Sequence, residues 1–232
     1  MSIQKGDTIV ITGANKGIGL ETAKSLLKSG FKVVSWSRNA PEYQHPDFKH
    51  FNCQIANHDD VKAVCEATVS ELEGGRLYGL VNNAGLGWFG RVEELPLEQW
   101  HEMFDVNVHG LMYAIRQVVP VMKAQGAGHI INIASIAGRD GVVQGSGYSA
   151  TKFAVSGISS ALYKELREFG IKVSCVYPGS VNTNFFDRVE AITAHSNMMA
   201  AEDLGEMLDW MLKTSANYLP VDIEIRPLKP RG

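Results

Sequence analysis

Short apolar runs alternate with helical hydrophobic patterns along the whole chain, and this alternation restricts the fold more than any other feature. The runs are Thr8–Thr12, Lys32–Trp36, Phe48–Cys53, Leu77–Val81, His129–Ala134, Lys172–Tyr177 and Val221–Ile225. The first, fifth and sixth are rich in Val and Ile and almost continuously apolar, as strands covered on both faces must be. Helical periodicity fills Gly17–Ser29, Asp59–Glu73, Leu97–Gln125, Tyr148–Phe169 and Ala201–Lys213. Strands separated by helices pair through crossovers, which predicts a parallel sheet with helices on both faces. No repeat, low-complexity segment or linker interrupts the pattern, so one doubly wound α/β domain is predicted over residues 1–232.

At 45% hydrophobic and 20% charged, 232 residues are enough for one sizeable core. A net charge of −3 leaves no basic footprint, which predicts no nucleic-acid partner. Lys and Arg form no membrane-surface run, and Gly13 cuts the first apolar run far short of a span. Neither a signal peptide nor a membrane partner is therefore predicted. Cys53, Cys65 and Cys175 lack metal-like or redox-like spacing, and His45, His50 and His58 lack companion ligands. The expectation is no metal, buried free thiols and a reducing, cytoplasmic setting.

Gly13-Ala14-Asn15-Lys16-Gly17-Ile18-Gly19 lies between the first strand and the first helix. Glycines there allow a sharp turn and close approach of a pyrophosphate, while the helix start offers free N–H groups and a favourable dipole. The spacing is G-x-x-x-G-x-G rather than G-x-G-x-x-G, and its position between strand and helix predicts a nucleotide site. NAD sites place an acid about 20 residues after the glycines to bond the ribose. Here the second strand ends Trp36-Ser37-Arg38, with no acid, and Lys16 projects from the loop. Two cations and a hydroxyl suit a 2′-phosphate, so NADP(H) is the expected cofactor. On the other reading Lys16 and Arg38 are solvated surface charges, and NAD(H) stays open.

Tyr148-Ser149-Ala150-Thr151-Lys152 sets a phenol and an ammonium four residues apart on one helix face. The cation is expected to lower the phenol pKa from about 10 toward neutrality, as acid-base chemistry requires. Such pairs are also common on exposed helices, and the surrounding motifs set this one apart. Asn82-Asn83-Ala84-Gly85 follows the fourth strand, on the edge where open α/β sheets bind ligands. Asn107 interrupts an apolar helical pattern and is expected to bond a buried partner. Ser135 ends the fifth run, and Pro178-Gly179-Ser180-Val181-Asn182-Thr183 ends the sixth.

In this order and at these separations the motifs resemble the short-chain dehydrogenase/reductase family. The matching stretches are Thr12–Gly19, Asn82–Gly85, Asn107 in Asn-Val-His-Gly, Ser135 in Asn-Ile-Ala-Ser, Tyr148-x-x-x-Lys152, and Pro178-Gly179 with Thr183. The resemblance implies a single-domain Rossmann-type fold with seven parallel strands, and NAD(P)-dependent interconversion of a carbonyl and an alcohol. It casts Tyr148 as the acid/base, Lys152 as its modulator and nicotinamide-ribose ligand, Ser135 as orienting the substrate oxygen, and Asn107 as holding a relay water. It implies a dinucleotide site formed by Gly13, Ala14, Asn15, Lys16, Gly17, Ile18, Gly19, Ser37, Arg38, Gln54, Ile55, Asn83, Ala84, Gly85, Tyr148, Lys152, Pro178, Gly179, Val181 and Thr183. Two positions depart from the family pattern. Gln54 stands where an Asp commonly bonds the adenine amine, a bond its side-chain carbonyl can still accept. Ala134 precedes Ser135 where a second Ser is common.

The segments Leu86–Gly90, Gly138–Gly147 and Asn184–Asn197 are expected to border the substrate, with Trp88, Val142, Gln144 and Phe185 in an apolar pocket. Phe185 and Phe186 serve equally well as anchors of a loop to the core. A small or medium ketone, aldehyde or alcohol fits best, although Arg91 and Arg139 leave a phosphate- or CoA-bearing substrate open. The helix from Tyr148 is small and weakly polar around most of its circumference, which predicts cover on every side. Either a second subunit provides that cover, giving the homodimer or homotetramer that the resemblance implies, or the Asn107 helix of the same chain does. Two competing readings stand beside the enzyme. One is a non-catalytic NADP(H)-sensing module, free to lose Tyr148, Lys152, Ser135 or Asn107. The other is an epimerase or dehydratase of the extended relatives, which have a longer C-terminal region.

Overall fold

The computed structural model describes residues 1–72, 74–183, 185 and 197–229. Its strands are β1 (Thr8–Thr12), β2 (Lys32–Ser37), β3 (Phe48–Asn52), β4 (Leu77–Asn82), β5 (Gly128–Ile133), β6 (Ile171–Pro178), the short β7 (Val181–Asn182) and β8 (Met199–Ala200), and β9 (Asp222–Ile225). The helices are α1 (Gly17–Lys28), α2 (His58–Ser70), α3 (Leu97–Phe104), α4 (Leu111–Gln125), α5 (Ser146–Leu166) and α6 (Ala201–Leu212). Seven strands form one parallel sheet in the order β3-β2-β1-β4-β5-β6-β9. The expected Rossmann-type α/β fold is therefore observed. The order reverses between β1 and β4, which opens the crevice where such sheets bind ligands.

Alternation along each strand divides the core into two layers. Val10, Leu80, Ile130 and Val173 point to one face, where α2, α4 and α5 cover them. Ile9, Ile11, Val81, Ile131 and Val176 point to the other, beneath α1 and α6. Each such side chain, fully withdrawn from water, contributes about 1.5–3 kcal/mol. The three cysteines are free and buried, as expected. Among the described residues no helix is long and apolar enough to cross a membrane, and no cluster of His, Cys, Asp or Glu could hold a metal.

Four features differ from the sequence expectations. The helix expected over Leu97–Gln125 is split: Asp105–Gly110 forms a π-helical turn between α3 and α4. Asn107 sits in that turn, its side-chain amide donating to the Leu86 carbonyl at 2.8 Å and to Thr151 at 3.0 Å. Its oxygen accepts from the Leu86 N–H at 2.9 Å, so the expected buried partners are Leu86 and Thr151. An inserted residue of this kind re-aims a side chain at the cost of regular helix bonding. Second, β7 and β8 pair as a small parallel ladder, too short for periodicity to reveal. Third, α5 ends in a 3₁₀ turn at Arg167–Phe169 instead of running through Phe169. Fourth, α5 is not covered all round within this chain, since Phe153 is 47% exposed and Gly157, Ser160 and Ala161 lie open beside it. Glu73, Phe186 and most of the 184–197 segment lie outside the described residues.

Candidate active site

A cleft of about 820 Å³ opens at the carboxyl ends of β1, β2, β4, β5 and β6. Its outer end is built by the loop from β1 into α1. Gly13 and Gly17 take left-handed backbone angles, with φ of 71° and 58°. A Cβ at Gly19 would stand 2.5 Å from both Asn83 Nδ2 and the Gly13 carbonyl, so only glycine fits there. No side chain caps the first turn of α1, whose N–H groups remain available to an anion. Asn83 locks the loop, donating from its side chain to the carbonyls of Thr12 (3.0 Å) and Gly13 (3.1 Å). Thr12 Oγ1 in turn accepts from the N–H groups of Asn83 and Ala84, each at 3.0 Å.

Of the residues expected to bind the dinucleotide, most line this cleft: Gly13, Asn15, Lys16, Gly17 and Ile18 of the loop, Ser37 and Arg38 after β2, and Gln54 and Ile55 after β3. Asn83, Ala84, Gly85, Pro178, Gly179, Val181 and Thr183 line it too, from the ends of β4 and β6. Ala14 and Gly19 do not. Ala14 is fully buried in the core, and Gly19 packs against Asn83 behind the loop. Ser37 spends its proton on the Asn39 carbonyl, at 2.9 Å. An uncapped helix start, a glycine cradle and two exposed cations fit an adenine dinucleotide phosphate.

Ser135, Tyr148 and Lys152 meet at the inner end of the cleft. Ser135 follows β5 and caps a 3₁₀ turn, its Oγ accepting from the Ala137 N–H at 3.1 Å. That bond leaves its own proton to donate, and the Ser135 hydroxyl near the Tyr148 phenol favours the phenolate. Lys152 lies one turn beyond Tyr148 on α5 and donates to the Ile133 carbonyl at 2.9 Å. Asn107, the fourth expected member, is buried behind the wall and does not line the cleft. Its Oδ1 and Lys152 Nζ nevertheless flank the same residue, lying 3.3 and 3.6 Å from where a Cβ on Gly85 would stand.

The electrostatics correct one expectation. Burial pushes the Tyr148 phenol up to about 12, only partly opposed by its bond to Ser135. Burial also pulls Lys152 down to about 8. The rings of Phe89 and Phe185 lie at centroid distances of 5.3 and 5.7 Å from Tyr148, and their apolar contact adds to the burial that disfavours a phenolate.

Of the residues expected in the substrate pocket, Trp88, Val142 and Phe185 line the cleft and Gln144 does not. Gln144 adopts a left-handed backbone angle, φ 58°, and its carbonyl accepts from the Gly90 N–H at 2.7 Å. It therefore shapes the loop rather than the pocket. Sequence reasoning missed Glu98, His101, Glu102 and Asp105, all of which line the cleft, with Glu102 bonded to Trp88 at 2.8 Å. Their spacing of three, four and seven residues from Glu98 marks one helical face, the signal that could have found them.

The comparisons with known proteins agree with this geometry. The family model for short chain dehydrogenase matches residues 7–193. A protein of Staphylococcus haemolyticus named an uncharacterized oxidoreductase is 30% identical over 235 residues, covering 98% of this chain and all of the relative. A metagenomic short-chain oxidoreductase solved in complex with NADP superposes with a TM-score of 0.81 at 25% identity, covering 97% of this chain and 99% of that one. An alcohol dehydrogenase from Thermococcus sibiricus, complexed with 5-hydroxy-NADP, gives a TM-score of 0.86 at 22% identity, covering 98% and 99%, a likeness of fold. With the family model spanning most of the chain and the motif residues gathered at one cleft, this protein belongs to the short-chain dehydrogenase family and is an NAD(P)-dependent oxidoreductase.

Proposed function

We propose that this protein is an NADP(H)-preferring oxidoreductase that interconverts a carbonyl and an alcohol on a small or medium substrate, with Tyr148 as the acid/base. The observation that carries the reading is the meeting of Tyr148, Ser135 and Lys152 at the inner end of a cleft whose outer end is an anion cradle. When bound, the nicotinamide supplies or accepts the hydride. Hydride arrival at a carbonyl carbon builds negative charge on oxygen, and a proton from Tyr148 lowers that barrier. Ser135 holds the same oxygen by a second hydrogen bond. Lys152 would hold the nicotinamide ribose and, when protonated, supply the charge that steadies a developing phenolate. Asn107 holds the Leu86 loop in register with α5 and presents Oδ1 beside Lys152 for a relay water.

Lys16 and Arg38, both exposed at the cleft rim, support the phosphorylated cofactor. The open apolar face of α5 supports a homo-oligomer. The deciding experiment assays a panel of carbonyls and alcohols by nicotinamide absorbance, with wild type and Tyr148→Phe. The variant should lose about 10²–10⁴-fold in kcat while binding cofactor normally. Near-wild-type turnover by Tyr148→Phe would remove the phenol from the chemistry.

A further inference from the structure

The substrate end of the cleft is specific enough in its chemistry to name a class of substrate, an inference that rests on the proposed carbonyl chemistry at Tyr148. The Tyr148 ring lies between Phe89 and Phe185, with Leu86 and Ala137 packed into the same apolar cluster. Trp88 forms the next wall and is held at two points. Its indole N–H donates to Glu102 at 2.8 Å, and its backbone N–H to the Met103 sulfur at 3.3 Å. A charge-assisted bond of this kind fixes the ring plane more firmly than packing alone. Val142 and Val143 extend the apolar surface to the mouth, where Val143 is 91% exposed.

Among the described residues, the charged side chains that α3 brings to the cleft are mostly of one sign. Glu98, Glu102 and Asp105 line it, with His101 among them. An anionic group on the substrate would meet the carboxylates of Glu98 and Glu102 and that of Asp105, which is 3.0 Å from His109, and like-charge juxtaposition of this kind disfavours it. Among the described residues, neither Arg91 nor Arg139 lines the cleft. Arg139 is engaged elsewhere, 3.2 Å from Asp222, 3.8 Å from Glu224 and 3.9 Å from the centre of the Tyr177 ring. Arg91 is exposed outside the lining residues. Among the described residues, the other cations of the cleft are Lys16 and Arg38, at the ends of β1 and β2, and Lys152, bonded to Ile133. The end of β2 is three strand spacings from β5, about 14 Å away. The whole cleft is about 820 Å³, most of which a dinucleotide must occupy, so the remainder admits only a small molecule.

We propose that the substrate is a small, uncharged carbonyl compound, or the corresponding alcohol, with an aromatic ring or branched alkyl group on the reacting carbon. In the reducing direction the carbonyl carbon gains a hydride from the reduced nicotinamide, and its oxygen gains the Tyr148 proton, which solvent replaces. The carbonyl is reduced to the alcohol and the dihydronicotinamide is oxidised. The apolar group lies against Trp88 and beside the Phe89 and Phe185 rings, and Glu102 fixes the Trp88 wall that it meets.

Three substrates of one chemistry test this: methyl benzoylformate, benzoylformate and methyl pyruvate, each assayed with NADPH and with NADH. Methyl benzoylformate should exceed both others in kcat/KM by at least about tenfold. The double variant Glu102→Gln, Asp105→Asn should narrow the gap between ester and acid, and Trp88→Ala should narrow the gap between the two esters mainly through KM. Equal or better use of benzoylformate, or of methyl pyruvate, overturns the substrate class and leaves the oxidoreductase reading intact. No turnover of any of the three, with NADPH binding intact by its fluorescence, overturns the substrate class, whereas no turnover across the wider carbonyl and alcohol panel overturns the proposed carbonyl chemistry as well.

Discussion

The Lys152 ammonium stands 5.7 Å from the centre of the Tyr148 ring and turns one of its hydrogen bonds toward the Ile133 carbonyl. Of the two groups, it is the lysine that titrates near neutrality, at about 8, whereas the phenol is held at about 12. Lys152 thus loses a proton near pH 8, and only its neutral amine can take up the Tyr148 proton while the phenol oxygen receives that of an alcohol. Alcohol oxidation should rise, and carbonyl reduction fall, as the pH passes about 8. Arginine cannot deprotonate in this range, so Lys152→Arg should abolish the inflection. Plots of kcat/KM against pH for the two proteins decide it, and an unchanged inflection in the variant excludes Lys152 as its source.

Cofactor choice should rest on Lys16 and Arg38, the two exposed cations of the outer cleft. Each loses a charge-assisted contact to a 2′-phosphate when replaced by Ala, worth about 1.5–3 kcal/mol, so kcat/KM with NADPH should fall at least about tenfold. The values with NADH should change much less. A parallel loss with both cofactors would mean that the two side chains do not read the phosphate.

His129 should make the protein sensitive to acid. It is fully buried on β5, 2.8 Å from the Ser174 hydroxyl. Ser174 gives its own proton to the Pro220 carbonyl at 2.6 Å, so His129 Nε2 is the donor of the pair. Nδ1 is then bare and has no hydrogen-bond partner among the described residues. Burial, reinforced by the nearby Lys172 charge, lowers the imidazole to about 3. The unfolded chain takes up this proton near pH 6.5 and the folded one only near 3, so the unfolded state binds more protons between those values. Stability should therefore fall, by up to a few kcal/mol, as the pH drops from about 6.5 toward 3. Urea midpoints at successive pH values should show this slope in wild type and a shallower one in His129→Gln.

Assembly should depend on the open face of α5. Phe153 and Gly157 lie on neighbouring turns of that face, and Gly157 leaves room for a close helix–helix approach. Light scattering should give a multiple of 25.4 kDa for the native protein and a lower mass for Gly157→Arg. A wild-type mass of one chain would show that the face stays open to water.

The parts of this fold that were legible in the sequence are those that repeat a simple period. Ile9, Val10 and Ile11 announce a strand buried on both faces because no polar residue interrupts them. The glycine loop was legible because Gly13 and Gly17 need backbone angles that other residues rarely adopt. The π turn around Asn107 was not, since one inserted residue barely disturbs an apolar pattern. Nor was the high pKa of Tyr148, which depends on Phe89 and Phe185 arriving from distant parts of the chain. Proximity of Tyr and Lys was readable from spacing, but the loss of water around the phenol is a property of the assembled cleft. The acidic face of α3 was visible as a pattern, and only the topology reveals which way it looks.

The turn at Asp105–Gly110 acts as a phase joint. Residues before it and after it are seated independently, because the irregular stretch absorbs the mismatch between two helical screws. Removing one residue there would swing the Glu98, His101 and Glu102 wall by about 100° about its axis, while Ala114 and Val118 kept their grip on the sheet. The wall that sorts ligands can thus be re-cut without recasting the scaffold that binds the nucleotide.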